Sequence, residues 1–281
     1  MTDGFINLYK PAGMTSHDAV NRVRKIFSTR KVGHAGTLDP AASGVLPVAI
    51  NRATKFLEYL TTHDKTYRAE ILFGTATDSG DLEGEIISRA ENFSMPTLDE
   101  LNDAAKTFVG EIEQTPPKFS AIKIHGRKAC DLARKNLSFE MPTRRVKIFR
   151  LEILDVTDKT ATLEVDCSAG TYIRALAVDF GARLNLLATL KNLIRLRVGD
   201  FALKNSVTFD ELDAEKILPI ETCLKHLPPF ELPEKRIRAF LNGLPTTVKV
   251  ADEKFLRVTS DGKFLGVGKI SGGELRSTKI V

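Results

Sequence analysis

Residues 65–73 read KTYRAEILF, and the alternation is that of a strand: Tyr67, Ala69, Ile71 and Phe73 fall on one face, Arg68, Glu70 and Leu72 on the other. Tyr67 therefore points to wherever a core or a cleft lies. Toward the N-terminus, Gly44 to Ile50 is a second, apolar strand leading into a helix near Asn51. Before it, TRKVGHAGTLDPAA (29–42) has no period and several turn formers, so it is a loop between two elements. Further back, Gly4 to Lys10 reads as a strand ending at the Pro11/Gly13 turn, and Thr15 or Ser16 can cap a helix whose face carries Val20, Val23, Ile26 and Phe27.

Toward the C-terminus a Gly/Asp loop spans 74–84, and a capping box at Thr97 and Glu100 opens a helix with Leu98, Leu101, Ala105 and Phe108 on its face. QTPPK and the His125/Gly126 turn mark a hairpin-like excursion at about 113–140 that leads into a basic helix. Strands return at about 145–156 and 160–168, Thr171 opens another helix, and a strand follows at about 189–199. This succession has no regular βαβ beat, which predicts an α+β fold on a mixed, largely antiparallel sheet. Three prolines in LPPFELPEK (227–235) end the larger unit, giving an expected domain of 1–230 and a small β-rich domain of 231–281 with a hairpin turning at Asp261–Gly262.

The chain has 281 residues, 42% hydrophobic and 27% charged, which is a globular composition with room for about two domains. No apolar run nears the ~20 residues of a bilayer span, and the N-terminus lacks a secretory pattern, so a cytoplasmic protein with no membrane partner is expected. Three separated cysteines and five scattered histidines offer no disulfide framework and no metal-ligand spacing. The acidic loop 77–84 lacks the alternation of a calcium loop, and no phosphate-binding P-loop string occurs. A net charge of +5 favours a polyanionic partner, with basic clusters in 22–31, 118–135, 144–150 and 191–197.

GHAGTLDP (33–40) gathers His34, Asp39 and two glycines on a loop between elements, where scaffolds present functional groups. Taken alone, Asp39 before Pro40 reads as a turn residue ahead of a reactive carboxylate. Three more segments occur in order with it: NLYKPAGMTS (7–16), KTYR (65–68) and CSAGTYIR (167–174). Together the four strings resemble the bacterial tRNA pseudouridine 55 synthases, from residue 4 to about 225, and the tail resembles the short PUA-type RNA-binding domain that ends many members.

The resemblance implies a cofactor-free, metal-free isomerase that extrudes the uridine at position 55 in the T-loop of tRNA, detaches its base and rejoins it through carbon. It makes Asp39 the nucleophile, which suits a carboxylate already ionised at neutral pH. Arg174 would pair with Asp39 and oppose the cost of burying it. Tyr67 would stack on the target base and offer its phenol for proton removal. Tyr172 and Leu193 would flank the extruded uridine, and His34 would occupy the space that the base leaves. Lys10 would either contact the phosphate chain or buttress the Asp39 loop. Ile194 departs from the basic residue that many relatives carry there. The expected partner is the tRNA T-arm, bound by a monomer. Two other readings stay open: a noncatalytic RNA-binding module on the same scaffold, and a related synthase acting on another RNA.

Overall fold

The structure is a computed structural model that describes residues 2–90, 92–135 and 137–281. Positions 1, 91 and 136 fall within the expected 1–230 domain and lie outside the described residues. A nine-stranded sheet organises the larger part of the chain. Its path runs Gly4–Lys10, Ser43–Ile50, Ala188–Val198, Lys65–Phe73, Thr160–Cys167, Arg144–Val156 and Gly110–Gln114, with Val32–His34 and Phe201–Ala202 pairing off this path. Every pairing is antiparallel except one, where Ala188–Val198 runs parallel to Ser43–Ile50 with Ile194 opposite Ser43 and Arg195 opposite Gly44. The mixed, largely antiparallel sheet expected from the sequence is therefore present.

Lys65–Phe73 is central, and Tyr67, Ala69, Ile71 and Phe73 are buried while Arg68 is exposed. The helices Leu98–Phe108 and Ile173–Arg183 cover this face with Leu101, Ala105, Leu176, Ala177 and Phe180. The capping box of Thr97 and Glu100 forms as expected. Leu98 is a correction: it is exposed, and the buried stripe is instead Leu101, Ala104 and Ala105, with Phe108 packed against it. These positions follow the i, i+3, i+4, i+7 spacing counted from Leu101, and Leu98 belongs to a first turn lying off that face. A second cluster on the other strands packs Ile6, Leu8, Leu46 and Val48 against Val20 and Val23 of the helix Ser16–Ile26. Thr15 caps that helix in a capping box with Asp18. The expected helix near Asn51 is a 3-10 turn, Asn51–Phe56, followed by the short helix Glu58–Thr61. The excursion after Gln114 holds a two-residue-per-strand hairpin, Lys123–Ile124 with Arg127–Lys128, and the short helix Ala129–Ala133.

A separate five-stranded sheet begins at Pro229–Glu231 and continues through Glu253–Ser260, Lys263–Ser271 and Glu274–Ile280 to Thr246–Thr247. Asp261 and Gly262 both take positive φ, as a tight hairpin turn requires. Leu232, Phe240, Leu256, Val258, Ile270 and Leu275 form the core of this smaller β unit. It leans on the segment 51–61: the ring of Phe264 lies 5.8 Å from that of Phe56, and Phe255 lies 5.1 Å from Tyr59. No described helix is long and apolar enough to cross a membrane.

Candidate active site

The loop carrying Asp39 is held from several sides. Ser16, at the start of the first helix, donates its hydroxyl to the Leu38 carbonyl at 3.0 Å and accepts the Leu38 N–H at 2.8 Å. The Pro40 carbonyl accepts the Gly13 N–H at 2.9 Å and the Lys10 ammonium at 3.3 Å. Lys10 also donates to the carbonyls of Met14 and Pro11, at 2.7 and 2.9 Å. Of the two parts considered for Lys10, this geometry is that of the buttress: the side chain is fully buried and its donors are spent on carbonyls. Burial, and next the Arg195 charge, pull its pKa down to about 8. On the far side of the loop, Arg195 donates to the carbonyls of Val45, Gly36 and Thr37, at 2.8, 3.0 and 3.3 Å.

Asp39 emerges from this support into a cleft of about 840 Å³, a volume suited to a small-molecule-sized group such as a nucleotide. Arg174 reaches it from the first turn of the helix Ile173–Arg183, with Nε 3.0 Å from Asp39 Oδ2 and 3.4 Å from Asp81 Oδ2. The remaining guanidinium nitrogens donate to the carbonyls of Ser79 (3.1 Å) and Phe119 (2.9 Å), so the fork is fixed. Burial raises the Asp39 pKa; the Arg174 charge opposes the rise and the neighbouring Asp81 adds to it. The helix start is set by Gln114, whose amide accepts the Tyr172 N–H at 2.8 Å and donates to the Tyr172 carbonyl at 3.0 Å. Tyr172 caps that helix with its ring beneath the Arg144 guanidinium, 5.4 Å from it.

Tyr67 and Leu193 line the same cleft from adjacent strands. Burial raises the Tyr67 pKa, opposed first by the Arg195 charge, so the phenol is held protonated at neutral pH. Lys65, two residues before it, donates to the carbonyls of His63 and Thr61 and is brought down to about 8 by burial. The structure thus gathers Asp39, Tyr67, Arg174, Tyr172 and Leu193 around one cavity. His34 does not line it: it sits on the edge strand Val32–His34, opposite Val48, and burial lowers its pKa.

Sequence reasoning passed over four residues here. Arg195 falls in the basic cluster 191–197 and is buried, and the sequence offers Ser16 as a cap. Asp81 falls in the acidic loop 77–84, and Gln114 at the edge of the excursion 113–140. Only the Asp81 position, inside an acid-rich loop, carried a local signal; the other three depend on tertiary neighbours.

A carboxylate clamped by a buried guanidinium faces an aromatic ring and an apolar wall across the cleft, an arrangement that can hold a flat ring beside a charged oxygen. Comparison with known proteins gives the class. A family profile described as "TruB family pseudouridylate synthase (N terminal domain)" matches residues 24–173, and "Pseudouridine synthase II TruB, C-terminal" matches residues 228–281. The chain belongs to the TruB family of pseudouridylate synthases. It is 41% identical to the protein named tRNA pseudouridine synthase B of Caldanaerobacter subterraneus subsp. tengcongensis, over 99% of each chain. It is 44% identical to the protein of the same name from Bacillus pumilus, over 86% of this chain and 83% of that one. Among solved structures, a chain of a Cbf5-Nop10-Gar1 complex superposes with a TM-score of 0.76 at 26% identity, covering 99% of this chain and 84% of that one.

Proposed function

We propose that this enzyme isomerises uridine 55 in the T-loop of tRNA to pseudouridine, by base extrusion and an Asp39-dependent reaction without cofactor or metal. The observation that carries the reading is the Asp39–Arg174 pair, at 3.0 Å, opening into the cleft beside Tyr67. Membership of the TruB family and the names of its relatives support the substrate class.

In this reading the uridine leaves the stack and its base enters the cleft, where stacking on Tyr67 offsets part of the extrusion cost, at about 1–3 kcal/mol per base. Leu193 and Tyr172 flank the base, and His34 takes the space it leaves in the T-loop. The Asp39 carboxylate attacks, at either the ribose or the uracil ring. The N-glycosidic bond breaks, the base turns, C5 bonds to ribose C1′ while the bond to Asp39 breaks and the carboxylate is regenerated, and the proton on C5 is exchanged for one on N1 with the help of the Tyr67 phenol. Arg174 keeps the carboxylate ionised and aimed. The catalytic domain is 1–230, acting as a monomer in the cytoplasm, with 231–281 gripping RNA outside the T-loop.

The test is tritium release from tRNA transcript labelled at uracil C5, in buffer with a chelator, comparing wild type with Asp39→Asn. Release of one equivalent per tRNA by wild type alone is expected. A tRNA that binds without releasing tritium would return the protein to the class of noncatalytic RNA-binding modules.

A further inference from the structure

We propose that Arg195 is a positioning residue that sets two reacting groups at once, holding the Asp39 loop by its carbonyls and turning the Tyr67 hydroxyl so that its proton points into the cleft. The inference rests on the reading that this cleft forms pseudouridine.

Arg195 is 1% exposed, yet among the described residues no carboxylate stands within ion-pair distance of it. A buried charge without a counterion is costly, and here carbonyl dipoles replace the counterion. All three dipoles come from the segment that contains Asp39: Gly36 and Thr37 before it, Val45 after it. A cation that served only to glue strands would have no reason to draw its partners from both ends of the reactive loop. The parallel pairing of Arg195 with Gly44 brings it there. Gly44 makes the approach possible, since it has φ +110° and a Cβ on it would collide with the Arg195 carbonyl oxygen.

On its other side Arg195 is the cross-strand partner of Tyr67 in the antiparallel pair, a position that places two side chains on one face within reach. Both side chains line the cleft there, and the Arg195 charge acts on the Tyr67 titration. An arginine can only donate, so where the two side chains meet the Tyr67 oxygen accepts and its own O–H is turned away from Arg195. The cleft that both residues line is where it then points. The same contact favours the phenolate over the phenol, which suits a group that exchanges a proton during the rearrangement.

The test substitutes Arg195→Met, which keeps the bulk and removes the charge, and Arg195→Lys, whose single ammonium cannot serve both the loop and the phenol. Protein labelled with 3-fluorotyrosine is titrated by fluorine NMR without RNA, the Tyr67 resonance being assigned with Tyr67→Phe. Removing the guanidinium is expected to move the Tyr67 titration to higher pH, by about one unit or more in Arg195→Met. On tRNA, Arg195→Lys is expected to lower kcat about 100-fold while KM stays within about threefold, since misplacing a reacting group costs rate and not binding. An unchanged Tyr67 titration in the folded variants, or a loss confined to KM, overturns the proposal. Failure of both variants to fold overturns it too, by leaving Arg195 a purely structural part. Because the titration uses no RNA and the wild-type enzyme is assayed alongside, failure of this inference is distinguishable from failure of the proposed reaction.

Discussion

Arg174 Nε lies 3.0 Å from Asp39 Oδ2 and 3.4 Å from Asp81 Oδ2, so one guanidinium is shared between two carboxylates that line the cleft, Asp39 the more exposed and Asp81 the more buried. The sharing has a consequence for stability. The folded-state pKa of Asp39 is raised by burial and by Asp81, against the pull of Arg174. A raised carboxyl binds more protons folded than unfolded, so its contribution to stability falls as pH rises through that window. At neutral pH the ionised Asp39 is therefore a cost to the fold.

Asp39→Asn should consequently abolish tritium release yet leave the melting temperature at pH 7 unchanged or higher, because Arg174 keeps Asp81 as its partner. Thermal unfolding of the two proteins in one buffer checks this. A fall of several degrees would mean that the Asp39 carboxylate stabilises the fold, against the direction of its pKa.

Arg174→Lys keeps the charge but cannot reach two carboxylates and the carbonyls of Ser79 and Phe119 together. With less opposition to burial, the Asp39 pKa should climb further. The acid limb of the single-turnover rate should then move to higher pH, with the plateau rate down about 100-fold. A pH–rate profile from pH 5 to 9 decides; an unmoved acid limb with a normal plateau would leave Arg174 no part in holding Asp39 ionised.

Gly44→Ala adds a Cβ at φ +110°, against the Arg195 carbonyl oxygen, where backbone and not a flexible side-chain end must give way. The strain and the clash together should cost roughly 2–5 kcal/mol. Denaturant unfolding measures this directly, and a loss under about 1 kcal/mol would contradict the tightness of the parallel pairing.

How much of this was legible follows from how local each signal was. Tyr67 stood in a nine-residue strand of clean alternation, and Thr97 with Glu100 spelled a capping box; both read correctly because period and cap need only their own neighbours. Asp39 and Arg174 lie on short strings that a family resemblance could carry, 135 residues apart, and the fold brings them to 3.0 Å. Arg195 was not legible: its strand shifts register between Leu190 and Asn192 and again between Arg195 and Arg197, so alternation cannot say which arginine is buried. Ser16 and Gln114 each look like ordinary polar residues until the loop or the helix end they hold is placed beside them.

The hairpin after Gln114 presents Lys123, Arg127, Lys128 and Lys135 beside a single acid, Asp131, around one shallow depression. If it tracks the phosphate chain, replacing Lys123, Arg127 and Lys128 by alanine should weaken tRNA binding similarly for any T-arm sequence. The slope of log affinity against log salt should fall by about 0.7–0.9 for each phosphate that is no longer neutralised. Filter binding between 50 and 300 mM salt, on the order of the range where such slopes are linear, gives the answer. An unchanged slope would remove this hairpin from the RNA interface.

His63 makes the remaining pH dependence specific. Both of its ring nitrogens are buried without a partner, and its ring stands edge-on to His226 with centroids 4.2 Å apart. Burial, then the His226 charge, depress it to about 4, although Asp200 and Asp64 pull the other way and Lys65 adds to the depression. A histidine depressed in the fold is neutral there but takes up a proton when unfolded, so its stabilising share is whole above pH 6.5 and is lost as pH falls toward 4. The site joins the strand carrying Lys65 to the segment leading into the C-terminal β unit, so acid should loosen this junction. His63→Leu should therefore lose less stability than wild type between pH 7 and pH 5, by roughly 1–2 kcal/mol in urea unfolding. Equal losses in the two proteins would place the acid sensitivity elsewhere, the raised carboxyl of Asp39 being excluded because it acts in the opposite direction.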